Sequence, residues 1–147
     1  VVEGVKLAGQ INDLGKIGIP AEILNKPGRI SEIEFALIKT HSQIGYDILK
    51  NIDFPWPVAD IVLQHHEKIN GSGYPNGLKG EEILIEAKII AVADVLEAMA
   101  SHRPYRAALG LEVAFAELGK HKGTLFDEEI VEACILIFKD KGFRLKF

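Results

Sequence analysis

The chain has 147 residues, long enough for one domain that buries roughly 68–70% of the surface its unfolded form exposes. Apolar residues make up 48% of it and charged residues 26%, and the formal charge of −4 excludes a broadly basic face for a nucleic-acid polymer. Asp94 and Glu97 break the best apolar run, Ile89–Ala100, and Val1–Lys6 lacks a signal-peptide pattern, so the sequence reads as a cytoplasmic domain with no membrane span.

In chain order, Val2, Val5, Ala8 and Ile11 form one stripe of a helix ending near Asn12. A glycine-rich stretch, Gly15–Pro20, leads into a short turn of helix at Ala21–Leu24. Ser31 and Glu34 have capping-box spacing and open a helix to about Lys39, followed by a second piece over roughly Gln43–Asn51. Pro57 suits a first helical turn, so the next helix runs about Val58–Lys68 and stops at the turn-rich Asn70–Pro75. A long helix from about Ile85 to Ser101 precedes Arg103-Pro-Tyr-Arg106, and helices at about Leu111–His121 and Asp127–Lys139 finish the chain. No strand alternation is present. The predicted fold class is all-α, a helical bundle with functional loops between its helices, as one domain over residues 1–147. The lone cysteine, Cys134, sits in the apolar run Ala133–Phe138, which fits an inert thiol in a reducing compartment. Met99 is the sole methionine, so the chain is expected to be a piece of something longer.

Several polar residues stand out against this background. Asp13 directly follows the first helix; alone, it would be an ordinary turn aspartate. His41 lies at a break between helical pieces, where an imidazole can simply satisfy free carbonyls. His65 and His66, if both helical, point about 100° apart and cannot both face one apolar core. They either reach two neighbouring metal ions or form a buried structural pair. Asp94 lies within Ile89–Leu96, where an ionised carboxylate needs a metal, a cation or several donors, an arginine salt bridge being the plain alternative. A bundle can gather such positions at its centre. Mixed imidazole and carboxylate ligands suit iron, manganese, zinc or nickel better than calcium. Two such ions can clamp a phosphodiester and supply its nucleophile. Lys16, Arg103 and Arg106 could then hold phosphate oxygens, or be solvated surface charges.

Together these residues resemble the HD-GYP family over nearly the whole chain. Asn12-Asp-Leu-Gly-Lys-Ile-Gly-Ile-Pro20 is similar to the family's His-Asp-x-Gly-Lys-Ile-Gly-Ile-Pro segment, and Lys39-Thr-His41 to its next histidine motif. His65-His-Glu-Lys-Ile-Asn-Gly-Ser-Gly-Tyr-Pro75 closely resembles the motif ending in Gly-Tyr-Pro. Ala93-Asp94 and Arg103-Pro-Tyr-Arg106 resemble the later aspartate helix and arginine motif. The resemblance implies a bundle of the His-Asp phosphohydrolase type and a metal-dependent phosphodiesterase acting on the bacterial messenger cyclic di-GMP. It implies Asp13, His41, His65, His66 and Asp94 as ligands, with iron or manganese the expected metal and two ions in an intact site. Asp13 would bridge the metals and Lys16 would contact phosphate, both counted as catalytic, with Arg103 and Arg106 on the substrate side. The Gly71–Gly77 loop resembles the family's signature loop, for which contact with a signalling-protein partner is proposed, and family members often form homodimers.

Three departures accompany the resemblance. Asn12 stands in place of the first histidine of the His-Asp pair, and a neutral amide is a poorer ligand than imidazole, so one metal position is expected to be weakened or lost. Asn70 replaces an aspartate, removing a negative charge near the site. The family usually supplies further ligands from an earlier helix, which is not expected in the eleven residues before Asn12. The candidate functions are therefore an active cyclic di-GMP phosphodiesterase, yielding a linear dinucleotide or GMP, and a catalytically impaired module that binds nucleotide or a protein partner. A third is another His-Asp phosphohydrolase such as a nucleotidase, against which the Gly-Tyr-Pro loop argues.

Overall fold

Apolar residues recur at helical spacing along most of the chain, and helices form where they do. The computed structural model describes residues 2–100, 110–140 and 142. They form eight α-helices: α1 (Val2–Ile11), α2 (Ala21–Leu24), α3 (Glu32–Lys39), α4 (His41–Leu49), α5 (Val58–Gln64), α6 (Ile85–Ala100), α7 (Leu111–His121) and α8 (Glu128–Asp140). Short 3-10 turns at Leu14–Gly18 and Gly80–Glu82 link them, and no strand occurs among the described residues, only isolated bridges. No helix is long and apolar enough to cross a membrane among those residues. The all-α bundle expected from the sequence is the fold observed.

The core is assembled around α6. Ala87 and Ile90 on α6 pack with Ala8 of α1, Leu49 of α4 and Val58, Ile61 and Val62 of α5. One turn further along, Ala91, Val92 and Leu96 pack with α7 and α8 through Leu118, Ala114, Phe115 and Val131. Burying a side chain such as Ile61 contributes about 1.5–3 kcal/mol. Two sub-cores on one spine hold the ends of α1, α4 and α5 at fixed positions beside α6. Cys134 is half-buried beside this second sub-core and burial raises its thiol pKa, consistent with an inert role.

The local signals behave as expected at the start of α3. The Ser31 hydroxyl accepts from the Glu34 N–H at 3.1 Å and the Glu34 carboxylate accepts from the Ser31 N–H at 2.7 Å, a complete capping box. Other boundaries move. The break before α4 is the single residue Thr40, whose hydroxyl donates to the Leu37 carbonyl at 2.6 Å and whose own carbonyl accepts from Ile44. His41 therefore opens α4. The α5 helix stops at Gln64, short of the expected Lys68, because the Glu67 N–H closes a turn on the Gln64 carbonyl and the following loop takes the Glu67 side chain. The 3-10 turn at Leu14–Gly18 was not expected. It crosses α4 so closely that a Cβ on Gly15 would overlap the His41 carbonyl, and this approach brings Asp13 beside His41.

Candidate metal centre

Four side chains, Asp13, His41, His65 and His66, each bring a ligand atom within 4.8 Å of the others. Helix ends deliver all of them. Asp13 lies just beyond α1, His41 begins α4, His65 follows the last residue of α5, and His66 comes next. Backbone carbonyls fix two of the rings: His41 Nδ1 lies 2.6 Å from the Ile38 oxygen and His65 Nδ1 lies 2.5 Å from that of Val62. A carbonyl only accepts, so each Nδ1 carries a hydrogen and each ring turns its Nε2 inward. The carbonyl partners are the outer-shell contacts that orient metal-binding imidazoles.

The two Nε2 atoms stand 3.3 Å apart, and His66 Nε2 is 3.1 Å from that of His41. Asp13 Oδ1 lies 3.4 Å from His41 Nε2 and 3.8 Å from His65 Nε2. Three ring nitrogens and a carboxylate oxygen thus crowd together, around rings that are 1% and 0% exposed for His41 and His65. Such a group needs a shared proton or a metal ion at its centre. Ligand atoms bound about 2.0–2.2 Å from one ion lie roughly 3–3.5 Å from each other, close to the spacing found. The donor set fits a borderline divalent metal.

The charges agree with that reading. Burial pushes the Asp13 carboxyl up, but the facing His41 and His65 rings and the Lys16 ammonium, 3.3 Å away, hold it well below the usual carboxylate range. Burial lowers the His66 pKa to about 2, helped by its neighbours His65, His41 and Lys68 against the pull of Asp13. His66 is therefore neutral at ordinary pH, as a metal-binding imidazole must be.

Asp94 stands apart from this cluster. It lines the same cavity from α6, but its carboxylate accepts from the Asn12 amide nitrogen at 3.4 and 3.3 Å rather than from an arginine among the described residues. Asn12 is buried. The position given to a histidine by the resemblance thus presents an N–H to a carboxylate instead of a lone pair to a metal. Burial raises the Asp94 pKa, and the Asp13 charge adds to it, while His65, Lys16 and the Asn12 amide oppose it.

The HD-domain profile matches residues 2–130. The chain belongs to the HD-domain family. It is 44% identical over 133 residues to the cyclic di-GMP phosphodiesterase response regulator RpfG of Xanthomonas campestris, covering 89% of this chain and 35% of that protein. It is 45% identical over 141 residues to a cyclic di-GMP phosphodiesterase of Thermotoga maritima, covering 95% of this chain and 38% of that one. The HD domain described here therefore spans little more than a third of these relatives, and its motifs together with those relatives mark it as HD-GYP in type. The crystal structure of a cyclic GMP-AMP specific phosphodiesterase of Vibrio cholerae has the same fold, with a TM-score of 0.68, 21% identity, and coverage of 93% of this chain and 38% of that one.

In this HD domain the ligand cluster opens on a cavity of about 270 Å³ lined by Asp13, Lys16, His65, His66, Lys68 and Asp94, among others. The Gly-Tyr-Pro loop forms a wall beside His66. Tyr74 donates its N–H to the His66 carbonyl at 3.3 Å and stacks its ring on the imidazole, centroids 4.9 Å apart at 18°. Burial and the charges of Asp13 and Asp94 push the Tyr74 phenol up to about 12, so it stays neutral. A Cβ on Gly73 would overlap the His66 carbonyl, so only glycine permits this approach. Asn70 is exposed and spends its side-chain oxygen on the Ser72 N–H and hydroxyl, closing an Asx turn in the same loop.

Two residues in this region escaped the sequence reading. Glu67 is 3% exposed. Its carboxylate accepts from the Asn76 N–H at 2.7 Å and the Leu78 N–H at 2.9 Å, fastening the loop to the turn that carries His65 and His66. Lys68 lines the cavity. The signal for Glu67 was present: a glutamate between a histidine pair and a glycine-rich loop whose N–H groups need acceptors. Arg103 and Arg106, expected on the substrate side, lie outside the described residues.

Proposed function

We propose that this HD domain is the catalytic part of a metal-dependent phosphodiesterase that hydrolyses cyclic di-GMP in bacterial second-messenger signalling in the cytoplasm. One observation carries the reading: three imidazoles and Asp13 converge at the edge of a cavity that also holds lysines. The relatives named as cyclic di-GMP phosphodiesterases support the choice of substrate. Asp13, His41, His65 and His66 would hold a divalent ion, iron or manganese, and Asp94 is the carboxylate placed to serve a second.

When bound, such metal ions polarise the phosphoryl group and lower the pKa of water. The protein's own residues do the rest. The carbonyls of Ile38 and Val62 keep the His41 and His65 rings aimed, so no reorganisation is needed when substrate arrives. Asp13 remains ionised and holds Lys16 beside it, within reach of a phosphate oxygen on which negative charge develops. Arg103 and Arg106 belong to the same proposal as substrate-side contacts, as do a homodimer and a signalling partner at the Gly71–Gly77 loop.

A second reading, a catalytically impaired module that binds nucleotide or a partner protein, is favoured by the Asn12 amide already bonded to Asp94. The deciding experiment is elemental analysis of protein purified without chelators, followed by a cyclic di-GMP hydrolysis assay with manganese or ferrous iron added. The expected result is bound metal and metal-dependent turnover. Metal-loaded protein that leaves cyclic di-GMP intact supports the impaired module instead.

A further inference from the structure

The two lysines that line the cavity are differently committed. Lys16 places its ammonium 3.3 Å from Asp13 and is half-exposed. Lys68 follows the ligand pair in the turn after α5, and among the described residues no carboxylate lies within ion-pair distance of it. Its close contact is the Phe126 ring, with Nζ 4.6 Å from the centroid. An ammonium has three N–H donors, and one aromatic face engages only part of that capacity. Lys68 is half-buried, so its ammonium sits in a partly desolvated place with no bonded acceptor among the described residues.

A cyclic dinucleotide carries two phosphodiester groups in one ring. Only one of them can sit at the ligand cluster beside Lys16. The other must lie elsewhere in or along the cavity, whose charged lining includes the Asp94 carboxylate. That carboxylate repels a second phosphate unless a cation offsets it. We propose that Lys68 is a substrate-binding residue that takes the second, non-reacting phosphate of a cyclic dinucleotide. The assignment rests on the phosphodiesterase reading for its substrate class and adds the residue that distinguishes a two-phosphate ligand from a one-phosphate ligand.

The test compares wild type, Lys68→Met and Lys68→Arg in two measurements. Steady-state kinetics with manganese use cyclic di-GMP and bis(p-nitrophenyl) phosphate, a diester with one phosphate. Lys68→Met is expected to raise KM for cyclic di-GMP by about 10- to 100-fold with kcat nearly unchanged, to leave the one-phosphate diester unaffected, and to be rescued by arginine. An unchanged KM, or an equal loss on both substrates, overturns the assignment. Equilibrium binding of cyclic di-GMP and GMP keeps the test independent of turnover. If the wild type hydrolyses nothing, selective weakening of cyclic di-GMP binding in Lys68→Met upholds Lys68 and removes the phosphodiesterase reading. Equal affinities of the two proteins, or no binding by either, overturn the Lys68 assignment.

Discussion

On the side of the cavity formed by the ends of α4 and α5, imidazoles point their Nε2 atoms at one another and at Asp13. On the side formed by the end of α1 and the middle of α6, Asn12 and Asp94 satisfy each other. The first side gathers donors that could hold a metal ion. The second side is closed by a hydrogen bond that a metal would have to displace. Under the proposed function, a single amide in place of an imidazole thus separates an open candidate metal position from one closed by a hydrogen bond. Retained ligands alone do not define a site; each must also be free of a protein partner.

The largest expected effect breaks the first side. Asp13→Ala or His65→Ala should reduce metal affinity by more than about 100-fold, beyond what loss of an outer-shell contact costs, and abolish cyclic di-GMP turnover. Elemental analysis and a hydrolysis assay check both, and full metal content in either variant would remove these residues from the ligand set. Asp94→Ala is expected to abolish turnover while retaining metal on the imidazole side, which would separate the two sides in one experiment.

Asn12→His should sharpen the contrast from the other direction. It withdraws the amide N–H from Asp94 and offers a lone pair, so bound metal is expected to rise toward two equivalents per chain, with a gain in turnover of about tenfold or more. Unchanged stoichiometry would show that Asp94 does not serve a metal.

A smaller effect is expected at Glu67. In Glu67→Gln one backbone N–H, of Asn76 or Leu78, meets an amide N–H instead of an oxygen, which costs about 1–3 kcal/mol for the unsatisfied donor. Faster hydrogen exchange at those two amides is the direct readout. Metal affinity should fall by about tenfold through the loosened Tyr74–His66 stack. Unaltered exchange would dissociate Glu67 from the loop.

The last effect is a slope. In metal-free protein the folded-state pKa of His66 is about 2 against an ordinary value of 6.5. The unfolded chain therefore binds this proton first as pH falls. The stability His66 contributes is fully present above about 6.5 and is lost progressively as pH drops from there toward about 2. Urea midpoints from pH 7 to pH 4 should fall more steeply in wild type than in His66→Gln; parallel slopes would contradict a depressed His66 pKa.

Helix positions were legible because periodicity and capping are local: Val2–Ile11, the Ser31–Glu34 box and Leu111–His121 follow from spacing within a few turns. The early end of α5 was not, since the pattern of apolar residues continues past it and the loop that captures Glu67 acts from nine and eleven residues downstream. His65 and His66 were read as neighbours on one helix. They instead both follow the last residue of α5, Gln64, and there the two adjacent imidazoles converge on one cluster.

The sequence by itself determined the bundle, the HD-GYP membership and a set of candidate ligand residues, because apolar spacing and motif order are written along the chain. Only the tertiary structure decided what those ligands are free to do. Which imidazole nitrogen faces inward depends on carbonyls three residues back in the chain, at Ile38 and Val62, whose placement is a matter of helix ends. Whether Asp94 waits for a metal depends on Asn12, 82 positions away. Hydrogen bonds act over about 3 Å, and no local pattern states which distant groups the fold will bring within that reach.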